Sequence, residues 1–363
     1  MSDSTQTPAK PRHALRYPIA ILVGITLSSV WLWQASSNPL VVSRHIDAPA
    51  ATLYTLLADP ARLGRWWTSR FIEDPNVALS MTFASAQPDG PNPELRWTSA
   101  VLGDGSERAL ARSPYSRVDI EVSSGQRLEG VRRYDLAADG NGETTVTWTF
   151  TPAAGMNPLP RLAYVLSRER RRLRLKTGID ELAKFAEALP PFDFSALDIE
   201  YVDLEATDLA LAPAASDPFA PAVSAALDEA YQRIASFIND NDLSPAGARM
   251  SIGRSFAGQE LQFDAAVPVR GVKSTTMVAK DSGVRDAVRL DQGYAGAALK
   301  VTHRGSYLLL GETHDRIAAY LAATGLRRNG AAWESYVSDP TQVATDENVT
   351  HVYYPVAQPE AQR

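Results

Sequence analysis

The hydrophobic and polar positions follow three different patterns in succession along the chain. Residues 17–43 carry no charge, and an apolar run fills 19–33. From residue 40 to about 151, short alternating runs are typical of strands, and a helical stripe follows over about 160–189. Beyond Pro190 and Pro191, which end that helix, strand and helix patterns alternate to residue 356. Because 363 residues exceed what one core usually holds, the patterns predict an α+β protein with an N-terminal helix and two soluble domains.

The uncharged segment predicts a membrane anchor. It follows a basic tail with Lys10, Arg12 and Arg16, and Trp31 and Trp33 near its end suit the aromatic belt at a membrane interface. We therefore expect a cytoplasmic tail over 1–16 and a transmembrane signal anchor over 17–38. The protein would then be single-pass in the inner (cytoplasmic) membrane, with its soluble domains extracytoplasmic (periplasmic). A cleaved secretory signal and a buried core helix are the alternatives.

The first soluble domain is predicted over residues 39–189. It begins with a strand at 40–46, continues into a helix from Ala50 and a second apolar face at Leu63, Trp66 and Trp67, and closes with the long helix. Strand-like runs between them lie at 78–83, 94–101, 106–111, 117–123, 128–136 and 144–151, with turns such as Asp89-Gly90-Pro91. This order predicts a curved antiparallel sheet that, with the closing helix, grips a central cavity.

That order of parts resembles the START-like superfamily, also called SRPBCC, and in particular its polyketide-cyclase-type members. The resemblance rests on residues 44–49 (RHIDAP), 56–60 (LLADP) with Trp66, 143–148 (ETTVTW) and the closing helix. It implies a helix-grip fold with a hydrophobic ligand cavity between sheet and helix. Since large rings line apolar pockets, the candidate ligand contacts are Trp66, Trp67, Trp97 and Trp148. The alternative is that these rings only pack the core.

The closing helix also carries a dense basic run. Its arginines are Arg168, Arg170, Arg171, Arg172 and Arg174. Such a run is usually a solvated helix face, and beside a membrane anchor it also suits contact with anionic lipid head groups.

The second soluble domain, predicted over 192–358, contains an internal repeat. Residues 231–238 (YQRIASFI) match 314–321 (HDRIAAYL), and 265–269 (AAVPV) match 352–356 (VYYPV). The order and spacing of the two motifs persist in both copies. Each half is interpreted as β-α-β-β, and the elements of the second half are expected at 297–303, 309–324, 332–337 and 349–355. The duplication predicts a pseudo-twofold domain with a ligand groove between its halves.

This duplicated domain resembles the GyrI-like (gyrase-inhibitor-like) effector-binding domains that stand behind AraC-type, multidrug-responsive transcription activators. The resemblance is carried by residues 301–307 (VTHRGSY), 333–336 (WESY), Asp339-Pro340, 354–356 (YPV) and a helix that ends at Gly325. In that family, the glutamate and tyrosine of the Trp-Glu-x-Tyr motif face an aromatic pocket for bulky, often cationic ligands. The resemblance therefore implies that Glu334 and Tyr336 contact ligand.

The chemistry of a carboxylate among aromatic rings agrees with that implication. Its desolvation is offset by a cation or by hydrogen-bond donors, and ring faces attract cations. The candidate ligand-binding residues of this domain are Glu334, Tyr336, Trp333 and Tyr307. The alternatives are that Glu334 pairs with a nearby arginine and that Tyr307 packs the fold.

Composition excludes several other classes of function. The chain contains no cysteine, so disulfides, thiol catalysis and thiolate metal sites are absent. None of its five histidines lies four residues from another, so we expect no metal, and we expect no cofactor. A formal net charge of −6 gives no broad attraction to nucleic acid.

Together these features predict a membrane-anchored protein that binds or senses a small molecule, hydrophobic or cationic and aromatic, rather than an enzyme. One alternative is a hydrolase or cyclase-type enzyme that uses Glu334 as general base. Hydrolytic relatives of the GyrI-like family typically place a histidine just before the tryptophan, and Ala332 occupies that position here. The other alternative is a lipid-binding or lipid-transfer protein. No helix-turn-helix segment precedes the second domain, so a transcription activator fits worst, and no protein partner is predicted.

Overall fold

The computed structural model describes residues 16–71, 78–82, 94–100, 103–124, 127–153, 155, 157–217, 220–257, 260–272, 287–338 and 342–357. Three predicted features lie outside these residues: most of the cytoplasmic tail, the turn at 89–91 and the Asp339-Pro340 motif. The chain divides into two compact units, one built mainly from residues up to Phe185 and the other from Ala186 onward, with Ala48–Leu56 grouped in the second.

A helix, α1 (Arg16–Ser37), occupies the segment predicted as the anchor. Within the described parts of the chain, no helix is long and apolar enough to cross a membrane, which leaves the predicted transmembrane span unsupported.

The first unit is built on a seven-stranded antiparallel sheet. Its strands are β1 (Leu40–Ile46), β2 (Ala78–Thr82), β3 (Glu94–Thr98), β4 (Gly105–Ser113), β5 (Arg117–Ser124), β6 (Arg127–Ala138) and β7 (Thr144–Pro152). Their order across the sheet is β1-β7-β6-β5-β4-β3-β2, so the chain forms a meander that the first strand joins at β7. The helices following β1 are α2 (Ala50–Leu57), most of which is grouped with the second unit, and α3 (Leu63–Trp66), and the closing helix is α4 (Pro158–Ala186). These parts form the predicted helix-grip arrangement.

The long helix α4 packs on the sheet through its C-terminal half. Leu175, Ile179 and Leu182 are buried. Gly178 permits the close approach, since a Cβ atom there would lie 2.8 Å from the Trp148 ring. The prediction of one continuous apolar stripe on this helix is wrong, because Leu166 and the other leucines of the N-terminal half are exposed. A helix can carry two apolar stripes, and only its packing shows which one is buried.

The second unit is built on a ten-stranded antiparallel sheet. Its strands are β8 (Ile199–Leu204), β9 (Asp208–Ser216), β10 (Ser244–Pro245), β11 (Arg249–Ala257), β12 (Glu260–Arg270), β13 (Arg289–Gln292), β14 (Gly296–Arg304), β15 (Arg327–Arg328), β16 (Trp333–Tyr336) and β17 (Val349–Ala357). Its helices are α5 (Ala220–Asp240) and α6 (Leu310–Thr324).

The strand order of this sheet displays the internal repeat. The central strands run β9-β12-β11-β16-β17-β14, so each half contributes strand, helix and two further strands, and the halves meet where β11 pairs with β16. Helix α6 ends at Gly325, as predicted. The glycine adopts a left-handed φ of 77°, and its N–H donates to the carbonyl of Leu321.

Candidate functional site

Glu334 lies at the centre of the second sheet, on the strand where the two repeats meet. It is 1% exposed. In the antiparallel register its neighbours are Ser251 on β11 and Val352 on β17, and directly opposed residues share a face of the sheet. Val352 belongs to the hydrophobic cluster that contains Ile317 of α6. Glu334 therefore points toward the α6 side of the sheet, and Tyr336, two residues further, points the same way.

Both oxygens of the Glu334 carboxylate accept hydrogen bonds. The hydroxyl of Tyr336 donates to Oε2 at 2.7 Å, and Nε2 of His314 lies 2.9 Å from Oε1. Nδ1 of His314 lies 2.7 Å from the hydroxyl of Tyr354. With a proton on Nε2, His314 donates to Glu334 and accepts from Tyr354. The four side chains thus form a continuous hydrogen-bonded chain that can hold or pass one proton.

Tyr354 is held neutral in this chain. Burial raises the pKa of Tyr354 to about 12, with Arg328 opposing the rise and the charge of Glu334 adding to it. The guanidinium of Arg328 lies 5.1 Å from the centroid of the Tyr354 ring. The phenol is therefore a hydrogen-bond donor to His314 at neutral pH, and not a competing anion beside Glu334.

The partly exposed residues of this group are a histidine and two tyrosines. The side chain of His314 is 25% exposed, whereas that of Glu334 is 2% exposed. Tyr307 and Tyr336 are half-buried, and their rings meet edge to face, with centroids 5.5 Å apart. Glu334 therefore forms the inner end of a site whose outer part is aromatic. Of the four residues predicted for this site, the structure brings together Glu334, Tyr336 and Tyr307.

Trp333 does not join them. It points to the opposite face of the sheet, where its ring stacks on Tyr353 with centroids 4.9 Å apart and tilts against Tyr294. The structure therefore does not place Trp333 in one site with Glu334 and Tyr336, because consecutive residues of a strand point to opposite faces.

His314 is the site residue that the sequence analysis missed. The repeat aligned His314 with Tyr231, whose hydroxyl donates to the carbonyl of Met250 at 2.9 Å in the first half. One feature of the sequence could have identified His314. The repeat places a polar residue, Tyr231 or His314, at the same helix position in both halves, on the side that faces the sheet. Metal-ligand spacing along the chain does not detect a histidine whose partner lies on a strand.

In the first unit, three of the four predicted tryptophans lie together. The rings of Trp67 and Trp148 meet edge to face with centroids 4.9 Å apart, and Trp66 stacks on Trp67 at 5.9 Å. Trp97 does not belong to this cluster. Its strand, β3, is four strand positions from β7, or about 19 Å at ordinary strand spacing, and its ring packs over Gly105 instead.

A buried ion pair lies beside the three rings. Arg132 donates from Nη1 and Nη2 to the two carboxylate oxygens of Glu107, at 3.1 and 2.8 Å, and both side chains are buried. Its guanidinium lies 4.8 Å from the Trp67 centroid and 5.5 Å from that of Trp148. Burial lowers the pKa of Arg132, but Glu107 and Tyr134 outweigh burial, so the net direction is upward. The family resemblance implied a hydrophobic cavity. The interior of this unit instead also contains a buried ion pair.

A surface group of His45, Asp139 and Glu143 has ligand atoms within 4.8 Å of one another, close enough in principle for a metal ion. Their hydrogen bonds already account for this geometry. Nε2 of His45 lies 2.6 Å from Glu143, and Asp139 accepts the N–H groups of Asn141 and Glu143.

One known protein family matches part of this chain. Residues 40–187 match the family described as "Polyketide cyclase / dehydrase and lipid transport". This match confirms the predicted START-like, SRPBCC-type domain in the first unit. No functionally curated protein matches the chain.

Several solved structures are similar to this chain, all at low identity. The C-terminal domain of EcmrR is 12% identical, covering 45% of this chain and 99% of that one, with a TM-score of 0.35. A hydrolase from Listeria innocua is 12% identical, covering 44% and 91%, with a TM-score of 0.33. The Aha1 dimer from Colwellia psychrerythraea is 12% identical, covering 42% and 97%, with a TM-score of 0.30. Similarities this weak carry no argument about function.

Proposed function

We propose that this chain binds or senses a small molecule, and that Glu334 anchors a cationic aromatic ligand in the second unit. The observation that carries the proposal is the buried carboxylate of Glu334, held by Tyr336 and His314 at the inner end of an aromatic site. Small-molecule binding also agrees with the family matched by the first unit.

The physical argument concerns the cost of burying Glu334. Moving a carboxylate out of water costs several kcal/mol unless charge and hydrogen bonds compensate. Tyr336 supplies one neutral hydrogen bond, and His314 supplies positive charge only when it is protonated. A bound cation would supply that charge directly, and the rings of Tyr307 and Tyr336 would add cation–π attraction. A buried carboxylate beside partly exposed aromatic rings is an arrangement that suits a binding site.

The test is titration calorimetry of the full chain with a cationic aromatic dye and with a neutral dye of similar shape. Glu334→Gln should weaken binding of the cation by about 1–3 kcal/mol, the scale of a lost charge-assisted contact, and should leave the neutral dye unaffected. Tyr336→Phe should cost less. Glu205→Gln, on an exposed residue of the same unit, is the matched control. Equal affinity of wild type and Glu334→Gln for the cation would contradict the proposal.

The second candidate function is an enzyme that uses Glu334 as general base. The hydrogen bond from His314 favours it, since a histidine joined to a carboxylate is an arrangement suited to proton transfer. In that case Glu334→Gln would abolish turnover of an electrophilic substrate and leave binding nearly intact. A hydrolysis assay beside the calorimetry separates the two functions.

The third candidate is a lipid-binding or lipid-transfer role for the first unit. The family description of residues 40–187 includes lipid transport. Arg132 and the indole N–H of Trp148, which is buried without a hydrogen-bond partner among the described residues, would then recognise an oxygen-bearing head group. Retention of a labelled fatty acid by wild type and its loss in Arg132→Met would support this role.

The GyrI-like assignment of the second unit and the membrane address remain parts of the proposal. The GyrI-like assignment is supported by the β-α-β-β repeat and by the placement of Glu334 and Tyr336 on one face of the sheet. The uncharged residues 17–43 behind a basic tail support the membrane address, with both domains outside the cytoplasm.

A further inference from the structure

The N-terminal half of α4 exposes four leucines on the side that faces away from the core. Leu159, Leu166 and Leu173 are 72%, 77% and 63% exposed, and Leu162 is 42% exposed. Their spacing places them on one face of the helix, opposite the buried Leu175. An apolar stripe of this kind marks an interaction surface, because it stabilises nothing in the first unit itself.

Positive charge surrounds these leucines. Residues 161–176 contain seven basic side chains and one acidic one, in a chain whose net charge is −6. Arg170 and Arg172 are exposed and flank the leucine stripe on its two sides. We call Leu159, Leu162, Leu166, Leu173, Arg170 and Arg172 the leucine–arginine face.

The C-terminal end of α1 packs on the other side of α4, through the buried Arg161 and Tyr164, and so leaves the four leucines uncovered. Arg161 of α4 lies over the ring of Trp33, 3.6 Å from its centroid, and donates to Ser36 at 2.7 Å. Tyr164 donates to the carbonyl of Asn38 at 3.2 Å. Trp31 of α1 is 59% exposed. Tryptophan is the residue most typical of a membrane interface.

We propose that the leucine–arginine face docks on an anionic lipid bilayer, with α4 lying in the plane of the interface. The leucines would enter the boundary between head groups and acyl chains, and the arginines would contact the negative lipids. This role is separate from ligand binding at Glu334, and it does not require α1 to span the membrane.

The charge of the face argues against two other occupants. In a symmetric dimer a surface patch meets its own copy, which would bring arginines against arginines. The N-terminal tail of the chain carries Lys10, Arg12 and Arg16, so it would also be repelled. The occupant must combine an apolar phase with negative charge, and an anionic bilayer offers both.

The proposal can be tested with a fluorophore at one chosen position, because the full chain contains no cysteine that would also be labelled. Leu166→Cys provides a single site for an environment-sensitive fluorophore, and Leu308→Cys, 72% exposed in the second unit, provides the matched control. With vesicles of phosphatidylcholine and phosphatidylserine, the probe at 166 should shift to the blue and brighten, while the probe at 308 should not. Phosphatidylcholine alone, or about 1 M salt, which shortens screening to about 3 Å, should suppress the shift.

The contribution of the arginines is measured in the same labelled protein. Arg170→Gln with Arg172→Gln should lower vesicle affinity about tenfold or more. Arg270→Gln with Arg304→Gln, two exposed arginines of the second unit, makes the same change in net charge and should have little effect.

Three results would overturn the proposal. The first is that the emission of the probe at 166 does not change although the protein sediments with anionic vesicles, which would assign attachment to another segment. The second is that the probe shifts with protein concentration in the absence of lipid, which would indicate self-association. The third is that soluble polyglutamate produces the same shift as vesicles, which would indicate an acidic protein partner.

Discussion

At the scale of single residues, the buried carboxylate of Glu334 organises the candidate site. Tyr336 fixes one oxygen, His314 fixes the other, and Tyr354 orients His314. Because each of these partners is itself half-buried or buried, the orientation of Glu334 is set before any ligand arrives. A preorganised charged group loses little freedom on binding, which favours both recognition and proton transfer.

The raised pKa of Tyr354 should make the stability of this protein depend on pH in the alkaline range. Its pKa is about 12 in the folded protein, against 10.0 for a free phenol. A raised pKa contributes stability that is fully present below pH 10.0 and is lost as pH rises to about 12. Over that window the wild type should lose on the order of 2 kcal/mol more stability than Tyr354→Phe. Denaturant unfolding of both proteins at a series of pH values measures this difference, and parallel pH profiles would contradict it.

At the scale of elements, the contact of α4 with the first sheet depends on a glycine. Replacing glycine by alanine inside a helix normally stabilises by up to about 1 kcal/mol. At Gly178 the added methyl would lie 2.8 Å from the Trp148 ring and 3.0 Å from Nε1 of Trp67. Overpacking of this kind costs about 1–3 kcal/mol. Gly178→Ala should therefore lower the unfolding free energy of the first unit.

Gly311 in α6 provides the matched control for that substitution. A Cβ atom there would meet no heavy atom within 4 Å. Gly311→Ala should be neutral or should stabilise the second unit by up to about 1 kcal/mol. Chemical denaturation followed by circular dichroism measures both variants, and a gain of stability in Gly178→Ala would contradict close packing of α4 on the Trp148 ring.

At the scale of the whole molecule, each of the two units has its own sheet and its own core. The segment between α4 and β8 contains Pro190 and Pro191 and an exposed Phe192. Protease cleavage should therefore concentrate at about residues 189–195, and both fragments should keep their secondary structure. A linker that resists cleavage, together with a single unfolding transition, would indicate one fused core.

Membrane attachment is a second prediction at this scale. The full chain should sediment with membranes even at high salt, because it carries the uncharged segment 17–38. A shortened chain that begins at Pro39 should be folded and should be released from membranes by high salt, because it keeps only the charge-dependent contact of the leucine–arginine face. Fractionation by ultracentrifugation, with and without high salt, measures both proteins. Recovery of the intact full chain in the soluble fraction would contradict the membrane address.

The order of elements was readable from the sequence because it depends on local periodicity and turn chemistry. The strand predicted at 40–46 is β1, the helix predicted at 309–324 is α6 within one residue, and Gly325 ends that helix. The repeat was visible because both halves use the same pattern of apolar positions to cover one sheet. Glu334, Tyr336 and Tyr307, which the structure brings together, were predicted through motif resemblance and the chemistry of a carboxylate among rings.

Tertiary structure alone decided which distant side chains meet. His314 reaches Glu334 because α6 folds back over β16, and Arg132 pairs with Glu107 because their strands lie on either side of β5. Which leucines of α4 are buried likewise follows from docking on the sheet, since the helix carries apolar residues on two faces. Strand alternation could have predicted that Trp333 points away from Glu334, and strand order could have predicted that Trp97 lies far from Trp148. The residues that contact these two tryptophans could not be predicted in this way. Periodicity specifies the direction of a side chain, whereas its partner depends on elements brought together only by the fold.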